Sequence, residues 1–100
     1  MAEVGRIELR HEADSPVVAM IGEFDLSNSP LLVQCFDELA AAGHTRFVLD
    51  MSATTFIDST ILGALSLAYR KGLLLDIHGA TGQIRREIEW SGLSSVFDMS

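Results

Sequence analysis

The sequence predicts an α/β domain: a mixed sheet of four to five strands, opened by an N-terminal hairpin and continued by βα units, packed by three or more helices. Two observations carry this reading. Two apolar strand patterns come first with only a turn between them, which makes them antiparallel neighbours. Strand and helix patterns then alternate, which makes the later strands parallel. One hundred residues form one domain around one core.

Each element has its own signal. Arg6-Ile7-Glu8-Leu9-Arg10 alternates polar and apolar, as a half-buried strand does. Ala13-Asp14-Ser15-Pro16 reads as the hairpin turn, and Val17 to Ile21 as a buried second strand. Asp25 to Ser29 is a polar loop. Ser29 is placed to cap the first helix, with Pro30 at its first position, where the missing N–H costs nothing. Leu32, Cys35, Phe36 and Leu39 follow at helical spacing, and Gly43 can close that helix.

Phe47 to Met51 is the third strand. A helix from Ser59 to Lys71 carries Ile61, Leu62, Leu65, Ala68 and Tyr69 and stops at Gly72. Leu73 to Ile77 is the fourth strand, and His78 to Gly82 a loop. Ile84 and Ile88 mark a third helix from Gln83 to Ser91, closed by Gly92, and Val96-Phe97 begins a last short strand.

Composition excludes several functions. The formal net charge is −7, and the seven basic residues are scattered, so a nucleic-acid surface is not expected. The same charge disfavours anionic lipid. The longest nearly apolar run, Ile61 to Tyr69, is too short to span a bilayer, and the first ten residues do not form a signal peptide. Cys35 is the single cysteine, which fits a reducing compartment. The expectation is a cytoplasmic protein without direct membrane insertion.

The most informative segment is Phe56-Ile57-Asp58-Ser59-Thr60-Ile61-Leu62-Gly63. It lies between a strand and an apolar helical pattern, so the hydroxyls of Ser59 and Thr60 stand at the mouth of a helix, within reach of a partner. Asp58 or Ser59 could cap that helix, and capping serves a structural role as well as a regulatory one. Asp25, after the second strand in Gly22-Glu23-Phe24-Asp25, sits where open α/β sheets place their sites, though an ordinary loop acid reads the same way.

Other motifs fall short. Gly79-Ala80-Thr81-Gly82 lacks the third glycine of a dinucleotide loop, since Arg85 stands there, and a tight turn with a Thr81 cap explains it better. Asp50 ends a strand as a receiver-domain phosphoacceptor does, but that fold does not begin with a hairpin. His11, His44 and His78 have no metal-ligand spacing. Cys35 lies on an apolar helix face and reads as core. Trp90 is out of phase with Ile84 and Ile88, and either seals the core or lies partly exposed. No catalytic constellation is placed by spacing, and no cofactor is expected.

Three segments resemble the STAS-domain family, most closely the bacterial anti-sigma factor antagonists. Gly22-Glu23-Phe24-Asp25 is similar to the family's Gly-Glu-Leu-Asp segment, Val48-Leu49-Asp50-Met51-Ser52 to its third strand, and Phe56-Ile57-Asp58-Ser59-Thr60 to its Asp-Ser-Ser phosphorylation motif. Element order and Ser91-Gly92-Leu93 also agree, so the resemblance covers nearly the whole chain. It implies a STAS-type single domain over residues 1–100, without the C-terminal helix common in the family. It implies a non-enzymatic regulator that binds an anti-sigma factor with serine kinase activity, frees a sigma factor, is released by phosphorylation at Ser59, and is reset by a phosphatase. Asp25, Asp58, Ser59, Thr60, Ile61 and Leu62 would meet the partner. The family's usual Gly is replaced by Ile61, which adds bulk at the helix start. Nothing in the chain demands more than a monomer when free. STAS accessory subunits of lipid-transport ATPases resemble the chain too, often with Thr in place of Ser59.

Overall fold

The computed structural model describes residues 3–12 and 15–100. The elements run β1 Arg6–Glu12, β2 Ser15–Phe24, α1 Ser29–Ala41, β3 Arg46–Asp50, β4 Thr54–Ile57, α2 Ser59–Arg70, β5 Leu74–His78, α3 Gly82–Trp90, a 3₁₀ turn Leu93–Ser95, and β6 Asp98–Met99. The six strands make one mixed sheet, ordered β1-β2-β3-β5-β6, with β4 pairing β2. The expected hairpin is present: β1 runs antiparallel to β2, from Arg6 opposite Ile21 to Glu12 opposite Ser15. All other named pairs are parallel.

Strand register sorts the side chains onto two faces. Leu9 lies opposite Val18, Val18 opposite Leu49, and Leu49 opposite Ile77, so these share the core face. Leu32, Phe36 and Leu39 of α1, Ile61, Leu65 and Ala68 of α2, and Ile88 of α3 close over that face. The Phe36 and Phe47 rings meet at 5.5 Å, a separation at which tilted aromatic rings attract beyond their buried area. The opposite face carries Arg10, Asp50, Arg46, Asp76 and Asp98. There Arg46 bridges Asp76 and Asp98, each at 2.9 Å.

β2 is the longest strand at 10 residues, because it serves two parallel neighbours in succession. Val17 to Ala19 pair with β3; Gly22 to Phe24 pair with β4. The register shifts between Gly22 and Glu23, and Gly22 has φ +92°. Only glycine takes that conformation cheaply, so the bulge that redirects β2 is written into the sequence by Gly22. Gly79 is needed for a different reason, a close approach. Its φ is +79°, and a Cβ there would lie 2.7–2.9 Å from Ser52 atoms, so the chain after β5 packs directly on the chain after β3.

Five details differ from the sequence reading. The sheet has six strands rather than four or five, because Thr54–Ile57, to which no element was assigned, is a strand before α2. Its β-branched and aromatic residues are good strand formers, but at four residues the run is too short to show a period. Ser15 and Pro16 belong to β2 and not to the turn, while Ala13 and Asp14 of the same expected turn lie outside the described residues. Asn28, not Ser29, holds the N-cap position of α1, and Ser29 is its first buried residue. Thr81 stands at the N-cap of α3 without a side-chain capping bond. The last strand is Asp98–Met99, since Leu93–Ser95 forms a 3₁₀ turn that carries the chain past Val96-Phe97. Of the two alternatives left open for Trp90, the structure takes exposure.

Candidate partner-binding site

β2 and β4 are parallel and in contact up to their last residues, Phe24 opposite Ile57. The segments that follow them therefore leave the sheet side by side. One is the loop Asp25 to Asn28. The other is Asp58 and the start of α2. Loops beyond the carboxyl ends of parallel strands are where such sheets present their sites.

The loop is held by its own polar groups. The Asp25 Oδ1 accepts from the Ser27 N–H at 2.9 Å and the Ser27 hydroxyl at 2.6 Å. These bonds, the hydroxyl first, hold the Asp25 carboxyl below the usual carboxylate range, so it is ionised at neutral pH. Asn28 is buried. Its Oδ1 accepts from the Asp25 N–H and its Nδ2 donates to the Glu23 carbonyl, each at 2.9 Å. Asn28 thus closes the loop against the end of β2 in place of capping α1 with its side chain.

Asp58 joins the loop to the helix. It is the N-cap of α2 in extended conformation, and its Oδ1 accepts from the N–H of Thr60 at 2.9 Å and of Ile61 at 3.3 Å. Its Oδ2 accepts from the Leu26 N–H at 3.2 Å. Of the two candidate caps, Asp58 is the one used. Ser59 follows as the first helical residue and is exposed. Thr60 and Leu62 are half-buried on the same turn.

Ile61 departs from expectation. Its relative exposure is 0%, so its side chain offers no surface to a partner. It lies one helical turn ahead of Leu65 and two ahead of Ala68, and all three enter the core. The bulk that replaces glycine therefore points inward, away from Ser59. Two exposed apolar residues border the site instead: Leu26, 72% exposed between Asp25 and Asp58, and Phe56, 45% exposed on β4 opposite Glu23. Leu26 is not legible as a site residue in the sequence, because a loop has no period against which to judge it; the one signal is a leucine inside a polar loop.

Among the described residues, no Lys or Arg pairs with Asp25 or Asp58, and no group of three or more His, Cys, Asp or Glu could hold a metal ion. No described helix is long and apolar enough to cross a membrane. Elsewhere, Asp50 pairs with Arg10 at 2.9 Å and accepts from the Ser52 N–H at 3.0 Å, a sheet-face role unlike that of a phosphoacceptor. Cys35 is half-buried on α1, where desolvation and then Glu38 push its thiol pKa up, away from reactivity.

A single mixed sheet thus carries its helices on one face, with an Asp-Ser-Thr helix entrance beside an acidic loop. The chain belongs to the STAS-domain family: the family model described as "Mlab, STAS domain" matches residues 7–98. Among solved structures it is similar to an anti-sigma factor antagonist from Mycobacterium paratuberculosis, with 26% identity, a TM-score of 0.82, and coverage of 96% of this chain and 85% of that one. It is also similar to the anti-sigma factor antagonist SpoIIAA in its unphosphorylated form, with 14% identity, a TM-score of 0.74, and coverage of 95% and 87%. The Bacillus cell fate determinant SpoIIAA in the phosphorylated form aligns at 17% identity and a TM-score of 0.71, with coverage of 95% and 91%. The two SpoIIAA alignments carry the fold alone. No curated protein sequence matches significantly.

Proposed function

We propose that this chain is an anti-sigma factor antagonist. It binds an anti-sigma factor that is also a serine kinase, so that a sigma factor is released. Phosphorylation of Ser59 ends the complex, and a phosphatase restores it. Asp25, Asp58, Ser59, Thr60 and Leu62 meet the partner, joined by Leu26. No catalysis is assigned to this chain. One observation carries the reading: Ser59 is exposed at the first position of α2, directly after a capping Asp58 that is also bonded to the Leu26 loop. A kinase can reach that hydroxyl, and a charge placed on it stands in the middle of the docking surface. The 26% identical antagonist structure supports the same role.

The test is a mass measurement after incubation with the candidate kinase and ATP. A single phosphate is expected, and none on Ser59→Ala. A phosphate that persists on Ser59→Ala would refute the assignment of the acceptor.

A second reading is favoured by the matching family model, whose description is Mlab rather than an antagonist: an accessory subunit of a lipid-transport ATPase. Affinity capture separates the two. The first reading expects a small ATP-binding kinase-like protein; the second expects transporter subunits.

A further inference from the structure

β1 ends the sheet, and among the described residues no strand pairs with its outer edge. An open edge offers unpaired N–H and C=O groups to a further strand, and proteins commonly blunt it with charge. β1 is charged in an unusual order. Arg6, Glu8, Arg10 and Glu12 share the open face of the sheet, alternating in sign, while Ile7, Leu9 and His11 share the core face.

We infer that β1 is a self-association surface, on which a second copy of this chain adds antiparallel about a two-fold axis through Leu9. In that register Arg6 faces the second copy's Glu12, and Glu8 faces its Arg10. The symmetry doubles each contact, giving four opposite-charge pairs. Centring the axis on Glu8 or Arg10 sets like charges together, and so does parallel pairing in register. A slip of one residue puts charged against apolar side chains and exchanges the faces. Directly opposed charges attract or repel across about 5 Å, so the pattern selects one register out of these.

The core face agrees with this occupant. Leu9 is 50% exposed and would meet its own copy at the axis, and Leu31 on the neighbouring helix α1 is 53% exposed. Glu8 has no ion-pair partner among the described residues and gains one. The symmetric pairing is isologous and closed, so it stops at two copies. One added strand pair buries little area, so the dimer is a weak one, formed at high concentration. This inference does not rest on the proposed function.

The experiment is sedimentation equilibrium on the full chain from about 10 μM to about 1 mM. The unmodified chain is expected to approach the mass of two copies at the upper end. Arg6→Glu and Glu12→Arg each oppose like charges at two symmetric contacts and should each weaken association about tenfold. The double variant exchanges the signs and should recover the original constant to within about threefold. Both side chains are exposed, with local partners only at Glu3 and Arg10, so the variants fold, as circular dichroism will check. A monomer throughout the range would overturn the inference. So would a dimer indifferent to the single changes, or a double variant as weak as the singles.

Discussion

The carboxylate of Asp58 holds two segments at once: one oxygen caps α2, and the other accepts the Leu26 N–H at 3.2 Å from 32 residues earlier in the chain. The amides of Thr60 and Ile61 are already occupied by the first oxygen. A phosphate on Ser59 would find these amides taken and the Asp58 charge beside it. The helix terminus then stabilises the added charge less than a vacant one would.

Replacing Asp58 with Ala removes both functions. The capping loss costs about 0.5–2 kcal/mol of stability, and the Leu26 N–H loses its acceptor. Urea unfolding of Asp58→Ala should show that decrease, and partner affinity should fall further than stability does because the loop is released.

Ser59→Asp should weaken partner binding about a thousandfold, equivalent to ~4 kcal/mol. Its thermal midpoint should stay near that of the unmodified chain, since Ser59 is exposed and packs on nothing in the core. An unchanged dissociation constant, read by calorimetry, would remove the switch.

Leu26→Ala should lower partner affinity by about 1–2 kcal/mol and leave unfolding unaffected, because the side chain is 72% exposed. Equal affinities would place the partner surface elsewhere.

Ile61→Ala tests the opposite role. A fully buried isoleucine truncated to alanine leaves a cavity and costs about 2–5 kcal/mol. The loss should be seen in denaturant midpoint, while the folded fraction binds the partner with nearly the original constant.

Asp50 gives a pH dependence. Burial pushes its carboxyl up, but hydrogen bonds from Ser52 and the pairing with Arg10 outweigh this and leave its pKa below the ordinary 3.8. The unfolded state therefore takes up the proton at higher pH than the folded state does. The stabilisation is complete above the unfolded value and is lost as pH falls through the folded one. Asp50→Asn should be less stable than the unmodified chain at pH 7, and the gap should close as urea titrations are moved below about pH 4.

Element order and the glycine stops were legible in the sequence, because periodicity, turn chemistry and positive-φ demand act within a few residues. The same local logic placed Ser59 at a helix mouth beside Asp58. It missed β4, whose four residues become a strand only because β2 bends at Gly22 and offers them an edge. The family resemblance, not this local logic, assigned Ile61 to the partner surface; its helical spacing with Leu65 and Ala68 had already put it on the apolar face that the structure buries.

By itself, then, the sequence determined an acidic α/β domain with a hydroxyl at the start of its second helix. Tertiary structure alone decided that the Asp25 loop lies against that helix, that Asp58 bonds to both, and that Leu26 is exposed while Ile61 is buried. The reason is range: a helix or turn is selected by neighbours along the chain, whereas a contact between residues 26 and 58 exists only once parallel strands have aligned their ends and the core has chosen which side chains to exclude from water.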